Sequence, residues 1–124
     1  MCHPWEVARR PRKLTVDDVR AIASTLPRSY EVTVQGRVKF RVGQLVYVAF
    51  ERDDAIMGFG FPKELRDALV DSDPHKFLLP RASELRYNWV CARLDALDRE
   101  EMSALVIEAW RMCVPKKVYV AYAR

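Results

Sequence analysis

Four β-rich runs joined by very short links, with capped amphipathic helical stretches on either side, predict an α+β domain. Its expected form is a twisted antiparallel sheet of about five strands with two main helices packed on one face, in the order αββββαβα. Three observations carry this. The runs Tyr30–Gln35, Arg37–Val42, Leu45–Glu51 and Ala55–Phe61 are rich in β-branched and aromatic residues. Only Gly36, Gly43-Gln44 and Arg52-Asp53-Asp54 separate them, and links that short make hairpins. The helical segments lie at the ends of this block and do not alternate with the strands, so a parallel βαβ nucleotide fold is not expected.

Taken in order, residues 1–13 carry Arg9, Arg10, Arg12 and Lys13 around Pro11 without sustained periodicity, and read as a basic arm outside the core. A single domain is expected over residues 14–117, with 118–124 as a C-terminal tail. Thr15, with Asp18 three positions on, has the spacing of a capping box, and Val16, Val19, Ala23 and Leu26 follow on one helical face until Pro27. After the four strands, Pro62 suits the first position of a second helix with Leu65, Ala68 and Leu69 inward, ended by Asp73-Pro74. The stretch from His75 to Asn88 has no clear period and reads as an ordered loop with one or two turns. Trp89–Leu94 forms the fifth strand. Asp98 and Glu101 repeat the capping pattern at the head of a last helix reaching about Val114, and Pro115 stops it. Val118-Tyr119-Val120-Ala121-Tyr122 alternates weakly, as a short edge strand or a loose tail would.

The chain has 124 residues, half of them hydrophobic and 31% charged, which is the balance of one globular domain. No apolar run approaches the roughly 18 to 20 residues that cross a bilayer, so no membrane association is expected. The N-terminus lacks the pattern of a secretory signal, and the expected location is cytoplasmic. Cys2, Cys91 and Cys113 are odd in number and far apart, without a CxxC pair, so neither a disulfide framework nor a metal site is expected. His3 and His75 stand in no HxxxH or HExxH context, and Gly58-Phe59-Gly60 lacks the third glycine of a dinucleotide loop. With no nucleophile and base in evident partnership, the expectation is a protein without enzymatic activity or cofactor. The formal charge of +4 permits a polyanionic partner.

Strand parity locates a candidate site. Successive side chains alternate across a strand, so Arg37, Lys39 and Arg41 share one side of the second strand while Val38, Phe40 and Val42 face the helices. The same parity buries Val46, Val48 and Phe50 and puts Tyr47 beside the cations; Trp89 and Arg93 join them if Val90, Ala92 and Leu94 face inward. The result is a basic and aromatic sheet face, with Arg37, Lys39, Arg41 and Arg93 placed to neutralise phosphates of DNA or another nucleic acid and Tyr47 or Trp89 to stack on bases. An alternative is a pocket for a protein partner or small anionic molecule built from Lys63, Lys76, Arg81, Tyr87 and Trp89 between the loop and the sheet.

Several segments carry a family resemblance. Lys39-Phe40-Arg41-Val42-Gly43, Phe61-Pro62-Lys63-Glu64, Lys76-Phe77-Leu78-Leu79-Pro80-Arg81, Tyr87-Asn88-Trp89-Val90 and Ala109-Trp110-Arg111-Met112 resemble the MmcQ/YjbR family over about residues 14–117. The resemblance implies the CyaY-like or YjbR-like fold, a twisted antiparallel sheet with its two main helices on one side, and the DNA-binding role by which the family is labelled. Frataxin-like iron proteins share that fold type, but this chain lacks their dense acidic first helix, since Arg20 follows Asp17 and Asp18.

Overall fold

The computed structural model describes residues 13–123. Helix α1 (Val16–Ala23) leads into strands β1 (Ser29–Val34), β2 (Arg37–Val42), β3 (Leu45–Phe50) and β4 (Ile56–Gly60). Helix α2 (Lys63–Ser72), strands β5 (Phe77–Leu78) and β6 (Trp89–Arg93), and helices α3 (Arg99–Arg111) and α4 (Lys116–Tyr122) complete the chain. The strands form one antiparallel sheet in the order β1-β2-β3-β4-β6-β5. The α+β class, the antiparallel sheet and the four-strand meander are as the hairpin spacing predicts. No described helix is long and apolar enough to cross a membrane.

Local chemistry explains the turns and caps. Val34 faces Arg37 across a two-residue link in which Gln35 and Gly36 both have positive φ, 53° and 78°, as in a type I′ hairpin. At the next hairpin Gly43 takes φ 59° between the paired Val42 and Leu45. The predicted capping box closes at the head of α1, where the Thr15 backbone N–H donates to Asp18 Oδ2 at 2.8 Å. Asp98 Oδ1 accepts from the Glu101 backbone N–H at 2.7 Å at the head of α3.

The core lies between the sheet and α1 with α3. Phe40, Val48, Phe50, Met57, Phe59, Val90 and Ala92 project from the sheet onto Val19, Ala23, Met102, Val106, Ala109 and Trp110. Trp110 is the largest fully buried side chain, and its indole N–H donates to the Pro27 carbonyl at 2.8 Å, tying α3 to the link between α1 and β1. A second tie joins the helix heads, where Arg99 Nη2 meets Asp18 Oδ1 at 2.8 Å.

Three elements depart from expectation. In α2, Leu65 and Ala68 are exposed rather than inward, Leu69 is half-buried, and the buried position is Arg66, drawn in by backbone carbonyls of the segment before β6. The loop after α2 contains β5, whose Phe77 and Leu78 pair with Ala92 and Cys91; two residues are too few to display an alternation. The segment expected as an edge strand or loose tail is instead helix α4, entered through Pro115. Its Tyr122 ring meets Trp110 edge-on at 5.1 Å, and Tyr119 lies under the Arg111 guanidinium at 4.3 Å. The predicted basic arm lies outside the described residues except for Lys13, which reaches Asp95 at 3.9 Å.

Candidate nucleic-acid interface

Helices cover one face of the sheet, and β2 runs along the other with its cations. Arg37, Lys39 and Arg41 are half-buried at alternate positions, while Phe40 and Val42 turn into the core. Their cross-strand partners on β1 are Val34, Val32 and Tyr30, so an apolar flank supports their aliphatic stems. Among the described residues the three make no ion pair, whereas Arg20, Lys76, Arg81, Arg99 and Arg111 all meet carboxylates. The Nε atoms of Arg37 and Arg41 are covered and lack a hydrogen-bond partner.

Tyr47 does not belong to this face. Phe40 pairs with Val48 but Arg41 pairs with Val46, so a β-bulge leaves Tyr47 as the extra residue of β3. The bulge reverses the parity that simple alternation predicts. Val46 emerges beside Arg41, and Tyr47 turns inward to full burial, its ring 6.5 Å from Phe40 and its hydroxyl bonded to Ser29. Burial pushes the phenol up to about 12, against the opposing Ser29 hydrogen bond and with a contribution from Cys113. A base cannot stack on Tyr47 in this conformation.

Trp89 and Arg93 lie on the predicted face, opposite Gly60 and Ile56 of β4, with Val90 and Ala92 facing inward. Arg93 stands three strands from β2, about 14 Å at ~4.8 Å per strand, and so does not adjoin the triplet. The Trp89 ring lies over Gly58, where a Cβ would come within 2.6 Å of the indole nitrogen. Lys39, Val46, Ala49, Glu84, Tyr87, Asn88 and Trp89 line a shallow depression of about 320 Å³ at this place. Tyr87 is 52% exposed and has the Arg86 guanidinium over its ring at 4.9 Å.

The alternative pocket does not assemble. Lys76 binds Glu101 at 2.9 Å and lines a separate depression with Lys13, Asp95 and Asp98. Arg81 reaches Glu51 at 3.4 Å, and Lys63 Nζ donates to the Arg86 carbonyl at 3.3 Å. Only Tyr87 and Trp89 of the five share a cavity wall. Cys91 lies on the open face; burial first, then Glu84 and Glu51, push its thiol up to about 11 despite Arg81, so the thiolate form is scarce at neutral pH. Among the described residues no group of three His, Cys, Asp or Glu is arranged to hold a metal ion.

Comparison with known proteins places this architecture. The family model described as YjbR matches residues 24–112. The chain belongs to the YjbR family. The crystal structure of the Deinococcus radiodurans protein DR2400, with a DUF419 domain, is similar at a TM-score of 0.70 and 22% identity, covering 83% of this chain and 80% of that one. No curated protein matches.

The YjbR match spans α2 and the loop that follows it, where the structure reveals a residue that strand parity passes over. Arg66 is 8% exposed on α2, and its guanidinium donates to three backbone carbonyls: Tyr87 and Trp89, each at 3.0 Å, and Leu85 at 2.8 Å. Asn88 adds a second anchor, its Oδ1 accepting the Lys63 backbone N–H at 3.0 Å. These bonds fix Tyr87 and Trp89 at the rim of the depression. An arginine between Leu65 and Asp67 on a helix carries no sequence mark of burial, and only the three carbonyls, 19 to 23 residues away, make it structural.

Proposed function

We propose that this YjbR-family chain binds single-stranded nucleic acid on the open face of its sheet, without catalysing a reaction on it. Arg37, Lys39 and Arg41 neutralise successive phosphates, and an unpaired base enters the depression beside Tyr87 and Trp89. The observation that carries the reading is the β2 stripe, three cations on one strand face with no carboxylate partner among the described residues, immediately beside a wall bearing an exposed aromatic ring. Cations held along a groove supply affinity without sequence preference, and stacking adds roughly 1 to 3 kcal/mol per base. Tyr87 replaces Tyr47 as the stacking residue, and Arg93 serves as an outlying contact for a strand that continues across the sheet.

The test is fluorescence anisotropy with labelled single-stranded and duplex oligonucleotides over a salt series. Three neutralised phosphates give a slope of log affinity against log salt near −2, at about −0.7 per phosphate for single strands. The double variant Lys39→Glu, Arg41→Glu should lose at least tenfold in affinity and most of that slope, whereas Tyr87→Ala should weaken binding and leave the slope unchanged. Absence of binding at low salt, or equal binding by the double charge reversal, overturns the reading.

A further inference from the structure

The sheet ends on one side at β5, only two residues long, and on the other at β1, six residues long. Natural edge strands are blunted by proline, lysine, bulges or a covering element, because their free N–H and C=O groups otherwise template another strand. In β1, Ser-Tyr-Glu-Val-Thr-Val, there is no proline, lysine or arginine, its one charge, Glu31, is held by Arg20 at 2.7 Å, its pairing with β2 is regular throughout, and among the described residues no strand pairs with its outer side. Tyr30 and Val34 are exposed at 44% and 36%, and Val32 between them is half-buried.

The sequence of β1 is complementary to itself in an antiparallel register centred on Val32. Facing residues must belong to the same face of a continuous sheet, so the two-fold axis has to pass through a residue position. Centring it on Glu31 would set two carboxylates opposite each other. Centring it on Val32 pairs Tyr30 with Val34 of the second copy on the open face and Glu31 with Thr33 on the helix face, and every like-charge pair is avoided. This register also aligns most of the strand.

We propose that β1 is the interface between two copies of this chain, joined antiparallel about Val32 into one twelve-stranded sheet. The inference deepens the proposed nucleic-acid reading, because it sets the two β2 stripes side by side at three strand spacings, about 14 Å at ~4.8 Å each, on one continuous open face. Two copies then present six phosphate contacts where one presents three.

Position 33 tests the register. Thr33 is exposed, so the fold tolerates substitution there, and in this pairing it faces Glu31 of the other copy twice over, a carboxylate that shares Arg20 with Asp17 in a cluster that stays net negative. Sedimentation velocity over a concentration series, without nucleic acid, should show a monomer–dimer equilibrium for the wild type. Thr33→Glu should raise its dissociation constant at least tenfold, and Thr33→Lys should lower it, although a lysine placed on an edge for any other reason would weaken pairing. Circular dichroism should be the same for all three. A wild-type chain that sediments as a monomer up to its solubility limit, a Thr33→Glu variant that dimerises as well as the wild type, or a Thr33→Lys variant that dimerises less each overturns the proposal. Because no nucleic acid is present, that failure would leave the phosphate-binding reading standing, and failure of the anisotropy test would leave this one standing.

Discussion

Arg66 shows how one side chain can position a surface it does not belong to. Its charge is buried against three carbonyl oxygens of the segment carrying Tyr87 and Trp89, a geometry that suits a planar fork with five donors. Removing it strands three carbonyls and loosens the wall of the depression. Arg66→Met should therefore destabilise the fold by about 3 kcal/mol in urea denaturation, a cost in the range for truncating a buried charged hydrogen-bonding group. Arg66→Lys should recover less than half of that, because an ammonium cannot span three carbonyls as the guanidinium does; full recovery would mean that charge alone matters. This residue was invisible in the sequence, where it reads as one of many exposed helix cations, whereas Asp18 and Asp98 were legible because a cap acts within three residues of itself.

At the scale of elements, hairpin links, proline stops and caps all act over two to four residues, and every element they define was readable. The failures came where distant packing decides. β5 exists because β6 offers it an edge, and α4 is a helix with its tyrosines against Trp110 and Arg111. The bulge in β3 is the most instructive case: alternation assigned the cations of β2 to their face, but one extra residue turned Tyr47 into the core. That burial has a consequence in pH. The Tyr47 phenol ionises at about 12 in the fold, above its ordinary value of 10.0, so its contribution is complete below pH 10 and is lost as the pH rises through 12. Thermal denaturation from pH 9 to 12 should show a steeper alkaline loss of stability in the wild type than in Tyr47→Phe. Parallel curves would contradict the inward placement of the phenol.

For the whole molecule, the sheet divides two tasks. The face toward α1 and α3 holds the apolar core, and the opposite face presents the β2 cations, which form no ion pair among the described residues, beside a rim fixed by Arg66. Net charge of +4 would not locate such a surface; strand parity places its cations and Trp89, and the folded chain puts Tyr87 where parity had put Tyr47. The central claim is that anionic polymer meets the protein along β2. Titrating a short oligothymidylate into isotope-labelled protein and following backbone amide shifts by NMR tests it most directly. The account predicts that the perturbed amides cluster at Arg37, Lys39 and Arg41, the neighbouring Val46 and Ala49, and Tyr87 to Trp89. Shifts confined to α3 and α4, where Trp110 and Arg111 meet Tyr122 and Tyr119, or none at low salt, would contradict it.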